Sequence, residues 1–278
     1  MRQRVRALVR TLAAAGQGDP DAIHHARVAT RRLREVLPLV ESGARGRKLR
    51  RGVRRLTRAL GPVRELDVAL ETLDALAGEV PRPAVARLRQ VLRLERRRLY
   101  GAMSREVARV DPDTLRRRAV AAARRSRRVD TARRTSRRAE RLGSAIESAG
   151  SIYLPDRLHE ARIAVKKLRY ALELARDVSG ARATARLRRL KTAQDLLGRM
   201  HDLEVLVARV RAVQGSAQAP SLSLSGDLDQ LVRRLETECR QLHGQYMAMR
   251  KSLLAIGMHL MAVPGRGSRR AARLSPAA

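Results

Sequence analysis

His24-His25-Ala26-Arg27-Val28-Ala29-Thr30-Arg31-Arg32-Leu33-Arg34 returns 135 residues later as His159-Glu160-Ala161-Arg162-Ile163-Ala164-Val165-Lys166-Lys167-Leu168-Arg169. Most positions are identical or conservatively replaced. Asp19-Pro20-Asp21 precedes the first block and Leu154-Pro155-Asp156 the second. A second pair follows in the same order. Leu60-Gly61 through Glu65-Leu66-Asp67-Val68 matches Leu197-Gly198 through Asp202-Leu203-Glu204-Val205, at an offset of 137. Two blocks in one order, at nearly one spacing, mark a tandem duplication.

Outward from these blocks, apolar residues recur at steps of three and four nearly throughout, and no segment alternates with period two. The expected fold class is all-α: two tandem four-helix bundles, about eight helices in all. In each copy one helix carries the His/Arg block, a second leads to a Leu-Gly turn, a third follows it, and a long fourth closes the bundle. The fourth helices are expected at about 84–110 and 227–256. Glycine and proline at Gly16 to Pro20, Gly61-Pro62, Gly78 to Pro83, Asp111-Pro112, Gly150 to Pro155 and Gly215 to Gly226 supply the breaks. Copy one then occupies 2–110 and copy two 137–257, inside one domain of 1–257. An arginine-rich bridge, 111–136, is expected to begin as a partly ordered linker, and 258–278 to form a disordered basic tail.

The chain of 278 residues carries a formal charge of +34, far more than solubility requires. Of 61 basic residues only five are lysines, and arginine is the side chain that forks onto phosphate oxygens. Such a balance points to a polyanionic partner. Phe and Trp are absent and Tyr occurs four times, so the aromatic platform of single-strand nucleic-acid binders cannot be built. One cysteine, Cys239, excludes an intramolecular disulfide and a thiolate metal cluster. With no apolar run of membrane-spanning length and no signal-peptide pattern at the N-terminus, a cytoplasmic location without membrane contact is expected.

At about 100° per residue, His24, Arg27, Arg31 and Arg34 fall in one stripe, with Ala26, Leu33, Val36 and Leu37 opposite. His159, Arg162, Lys166 and Arg169 repeat the stripe against Ala161, Leu168 and Leu172. In the next helix Arg47, Arg51, Arg54 and Arg58 share a side. Copy two keeps Arg188 and Lys191 there but has Asp195 in place of Arg58. Like charges three and four apart destabilise an isolated helix by a few tenths of a kcal/mol per pair. An anion seated on the stripe offsets that cost. The repeated histidine can hydrogen-bond a phosphate oxygen, whose charge would in turn favour the imidazolium.

The pattern His-x-x-Arg-Val/Ile-x-x-Arg/Lys-Arg/Lys-Leu-Arg, present twice with its paired Leu-Gly elements, resembles the CHAD domain (conserved histidine α-helical domain). That resemblance implies two bundles related by pseudo-twofold symmetry, with basic helices facing a central groove or pore. It implies binding of inorganic polyphosphate, with its divalent counterions, and association with polyphosphate granules. By position it assigns the ligand-facing roles to His24, Arg27, Arg31, Arg34 and Arg54 in copy one. In copy two these are His159, Arg162, Lys166, Arg169 and Lys191, with Arg32 and Lys167 at the rim. The alternating acidic and basic strands of the CYTH domain, which many relatives carry, have no counterpart here.

Two rivals remain on sequence grounds. Net charge alone suits a non-specific nucleic-acid binder, although no helix-turn-helix, zinc finger or aromatic RNA motif occurs. A metal-dependent phosphohydrolase would draw on His201, Asp202, Glu204, Glu65 and Asp67. Arg64 stands where copy two has His201, so no symmetric metal site is expected. Without a phosphate-cradling glycine loop either, a non-catalytic binding protein that needs no cofactor is the expected function.

Overall fold

A computed structural model of the chain describes residues 2–40, 44–124, 130–180, 183–216 and 220–262. Among them are nine helices and no strand. In chain order these are α1 (Arg2–Gly16), α2 (Pro20–Val40), α3 (Ala44–Ala75), α4 (Arg82–Ala108) and α5 (Pro112–Arg124). They continue with α6 (Thr131–Ala149), α7 (Pro155–Ser179), α8 (Thr184–Gln214) and α9 (Leu222–Ala262). The two His/Arg blocks lie on α2 and α7, the two Leu-Gly elements on α3 and α8.

Helix starts follow the local chemistry. Asp19 precedes Pro20, the first residue of α2, and its carboxylate accepts the Ala22 N–H at 2.6 Å. Asp111 does the same for α5, accepting from the N–H groups of Asp113 and Thr114 at 3.0 and 3.2 Å, and Asp130 for α6 from Arg133 N–H. Such caps satisfy first-turn donors and contribute about 1 kcal/mol each. Between α1 and α2 the chain turns at Gly18, with φ of 90°. A Cβ there would lie 2.9 Å from the Tyr100 ring. Tyr100 and Ser104 of α4 donate to Gly16 O, and Arg96 to Gly18 O, so α4 clamps this turn.

The described chain divides into two compact units, Met1–Val129 with Val205–Leu235, and Asp130–Glu204 with Glu236–Ala278. This differs from a division by sequence halves, because α8 and α9 each give residues to both. The first unit buries Leu8 and Leu12 of α1, Ile23 and Leu33 of α2, Leu56 and Leu60 of α3, and Met103 of α4. The second buries Leu142 and Ile146 of α6, Val165 and Leu168 of α7, Leu197 of α8, and Tyr246 and Leu253 of α9. Each fully buried side chain of this size contributes about 1.5–3 kcal/mol.

Three sequence expectations are corrected. The Leu-Gly elements are not turns: α3 runs unbroken through Gly61-Pro62 and α8 through Gly198. Glycine costs a helix only about 1 kcal/mol, and Gly61 has a packing role described below. The start of the bridge is no linker, since α5 occupies 112–124 and buries Leu115 and Ala119 in the first unit's core. Residues 125–129 lie outside the described residues. Of the expected tail, 258–262 complete α9, and 263–278 lie outside the described residues.

Candidate anion-binding surfaces

In the first unit the α2 stripe is built as the periodicity predicts. Ala26, Leu33, Val36 and Leu37 are buried, whereas His24, Arg32 and Arg34 are exposed and Arg27 and Arg31 half-buried. Arg27 lies across α3 at Gly61, where a Cβ would meet its Nη1 at 3.0 Å. The glycine therefore makes room for a guanidinium. His24 has Arg64 of α3 as its cationic neighbour. Partial burial first, then the charges of Arg64 and His25, hold its pKa below the ordinary value, against Glu71 and Asp21. Arg64 is itself gripped by Glu71 through two bonds of 2.7 and 3.2 Å.

The second unit repeats the arrangement with one substitution. Arg162 of α7 lies over Gly198 of α8, its Nε 4.0 Å from where a Cβ would be. His159 faces His201, which occupies the position of Arg64, with the two Nδ1 atoms 3.3 Å apart. Burial pushes the His201 pKa down to about 4, helped by Arg162, His159 and Lys166. His159 is lowered by burial and then by Arg162 and Lys166. Both rings are thus neutral at pH 7 before any anion arrives, and one donates to the other.

This second stripe is the more enclosed. His159, Arg162, Lys166, Lys167 and Arg169 are all half-buried. Arg169, 13% exposed, is tied internally: it donates to Gln194 at 2.9 Å and Glu173 at 2.6 Å and lies over the Tyr170 ring. Lys191 pairs with Asp195, the residue that breaks the symmetry of the sequence. Arg188 is exposed.

On α3, Arg51, Arg54 and Arg58 are exposed and line a concavity of about 750 Å³ together with Lys48, Arg55, Arg109 and Arg118. Its walls come from α1, α3, the end of α4 and the first half of α5, with no residue of α2. This enclosure was not legible in the residue pattern, because it rests on α5.

The acids of the Leu-Gly elements serve the architecture. Asp67 is buried and accepts from Arg96 Nε at 2.6 Å; burial nonetheless raises its pKa. Its counterpart Glu204, likewise raised by burial, accepts from Tyr153 Oη at 2.6 Å. Among the described residues no group of three or more His, Cys, Asp or Glu side chains forms a metal-binding cluster.

Sequence reasoning did not single out Arg64 and His201 as anion-site residues. Their signal was the shared offset of 137, which set them equally far beyond the two glycines.

Compared with protein families, residues 1–211 match the CHAD domain. The chain belongs to the CHAD domain family. Its match covers both His/Arg blocks, so the family and the site geometry meet on the same helices. Among solved structures, this CHAD chain is similar to PptA from Streptomyces chartreusis, at 17% identity and a TM-score of 0.66, covering 89% of this chain and 95% of that one. It is also similar to the CHAD domain from the plant Ricinus communis, at 22% identity and a TM-score of 0.56, covering 94% and 89%. At these identities the likeness is one of fold. No curated protein matches the CHAD chain. No described helix of it is long and apolar enough to cross a membrane.

Proposed function

We propose that this CHAD chain binds inorganic polyphosphate, without catalysing its turnover, and is carried by that binding to polyphosphate granules. One observation carries the reading. In both units a helix-head histidine sits beside a basic or imidazole partner, and an arginine one turn on packs over a glycine of the neighbouring helix. Two independent solvent-facing surfaces have no reason to share that detail, whereas products of one duplication that bind the same ligand do.

The proposed contacts are His24, Arg27, Arg31, Arg32, Arg34, Arg51, Arg54 and Arg58 in copy one. Copy two contributes His159, Arg162, Lys166, Lys167, Arg169, Arg188 and Lys191. The tandem bundles and the basic groove implied by the family resemblance belong to this proposal. A linear polyphosphate holds about one charge per phosphate together with condensed counterions; displacing these onto the stripes supplies affinity that falls with salt. Guanidinium forks fix the oxygens. Neutral His24 and His159 hydrogen-bond the chain and gain a proton as its charge raises their pKa.

Support for a non-catalytic role comes from the acids, since Asp67 is held by Arg96 and Glu204 by Tyr153. The test is a competition titration at about 150 mM salt, near physiological screening. Labelled long-chain polyphosphate is challenged with duplex DNA, RNA and short phosphate oligomers, and phosphate release is followed with added divalent metal. Polyphosphate should win at equal phosphate concentration, and combined His24→Ala, Arg31→Ala, His159→Ala and Lys166→Ala should abolish the preference. Competition according to charge alone would make the chain a general nucleic-acid binder, and phosphate release would make it an enzyme.

A further inference from the structure

We propose that His159 of α7 and His201 of α8 form a proton-sharing pair, through which polyphosphate binding at the second unit responds to pH more strongly than binding at the first. The pair regulates the surface proposed above and so rests on that reading.

Geometry limits what the two rings can carry. Their Nδ1 atoms are 3.3 Å apart, with ring centroids 4.6 Å apart and planes inclined by 48°. One proton fits between two nitrogens at that distance, donated by one ring and accepted by the other. An added proton goes to the bare Nε2 of the donating ring, which becomes an imidazolium bonded to a neutral imidazole. A second added proton would set one Nδ1–H against the other. The pair thus takes up one proton and titrates as a unit.

Its surroundings keep the pair neutral until an anion arrives. Burial acts first on both rings, and Arg162 and Lys166 of α7 add their charges. Asp156 and Glu160, on the same helix, oppose them at His159. From α8, Glu204 Oε2 lies 3.9 Å from His201 Nδ1, but this carboxyl is raised by burial and accepts from Tyr153. Cys239 and His243 of α9 face Tyr153, and burial keeps both neutral by raising the thiol and lowering the imidazole. A polyanion along α7 offsets Arg162 and Lys166, and its own charge favours the imidazolium.

In the first unit Arg64 stands in the place of His201. A guanidinium stays charged at every pH, and Arg64 opposes a further charge on His24. The first unit therefore offers a fixed cation at this position, where the second must take one from solution. Because the complex then holds a proton that the free chain lacks, affinity rises as pH falls. The rise runs from the raised value in the complex down to the free values below 6.5, by at most about tenfold per unit of pH.

The experiment is isothermal titration of the full chain with long-chain polyphosphate between about pH 6 and about pH 8. Each point is run in two buffers of different ionisation enthalpy, so that the difference in heat counts the protons taken up. Near pH 6.5, His201→Arg should lower the uptake by about half a proton or more, and Arg64→His should raise it by a similar amount. His201→Arg should also bind within about threefold of the parent at about pH 6, and several-fold more tightly at about pH 8. His259→Gln, at an exposed α9 position, should change neither quantity. If His201→Arg lowers the melting temperature, Arg64→His carries the test alone, since it creates the same pair in the other unit. Binding with the parent's proton uptake in both variants overturns the pair and leaves polyphosphate binding intact. Absence of binding at every pH overturns both.

Discussion

Arg27 and Gly61 show how one side chain and one missing side chain set the surface. Alanine is the better helix former by about 1 kcal/mol, and among the described residues the atoms a new Cβ at Gly61 would meet belong to the movable tip of Arg27. Gly61→Ala should therefore leave thermal stability unchanged or raise it by up to about 1 kcal/mol. It should still weaken polyphosphate binding several-fold, because the guanidinium loses its seat. A parallel loss of stability and binding would mean that the glycine serves packing alone. His201 offers a second test at this scale. Its folded pKa, about 4, lies below the ordinary 6.5. Between those values the unfolded chain binds more protons, so this group's contribution is present above pH 6.5 and is lost as pH falls toward 4. Asp67 and Glu204, raised by burial, work in the opposite direction. The measurement is accordingly a difference: His201→Asn should lose less stability than the parent between pH 7 and 4.5 in urea melts. Equal losses would show that the ring is not desolvated as placed.

At the level of helices, α5 is where sequence and structure part. The 3.6-residue periodicity located the His/Arg helices and their core faces, because alternate burial and charge at that spacing leave no other economical fold. The closing helices α4 and α9 were legible for the same reason, whereas α1 and α6, which precede the His/Arg helices, were not named. The Leu-Gly elements were misread as turns since glycine and proline are breakers in isolation, and only the neighbouring arginine explains a glycine kept inside a helix. Residues 112–124 were misread because arginine density hid two apolar anchors, Leu115 and Ala119, spaced one turn apart. The stripes could be named from the sequence, but not their enclosure. Arg51, Arg54 and Arg58 look like one side of one helix until α5 and the end of α4 close over them. If α5 is part of the core, Leu115→Ala should cost about 2–4 kcal/mol in chemical denaturation. A change within about 0.5 kcal/mol, typical of a surface position, would return the segment to the status of a linker.

For the molecule as a whole the governing quantity is charge, +34 over 278 residues, with 27 acids against 61 bases. Most of the described acids are engaged locally, as caps or in pairs such as Arg89–Asp74 and Arg234–Glu79, and 27 acids are too few to balance 61 bases. Binding to any polyanion should then weaken with salt, and the steepness counts the phosphates engaged. With about six to ten contacts, affinity for long-chain polyphosphate should fall on the order of 10³–10⁵-fold between about 50 and 200 mM salt. Net charge alone would produce a slope too, so the informative comparison is between variants. Arg31→Ala and Lys166→Ala should each lower the slope by about one, since each removes a phosphate contact. Arg93→Ala, the same loss of charge from an exposed α4 position outside the stripes, should leave it unchanged. If all three lower the slope alike, affinity comes from the field of the whole chain, and the duplicated surfaces hold no privileged place in it.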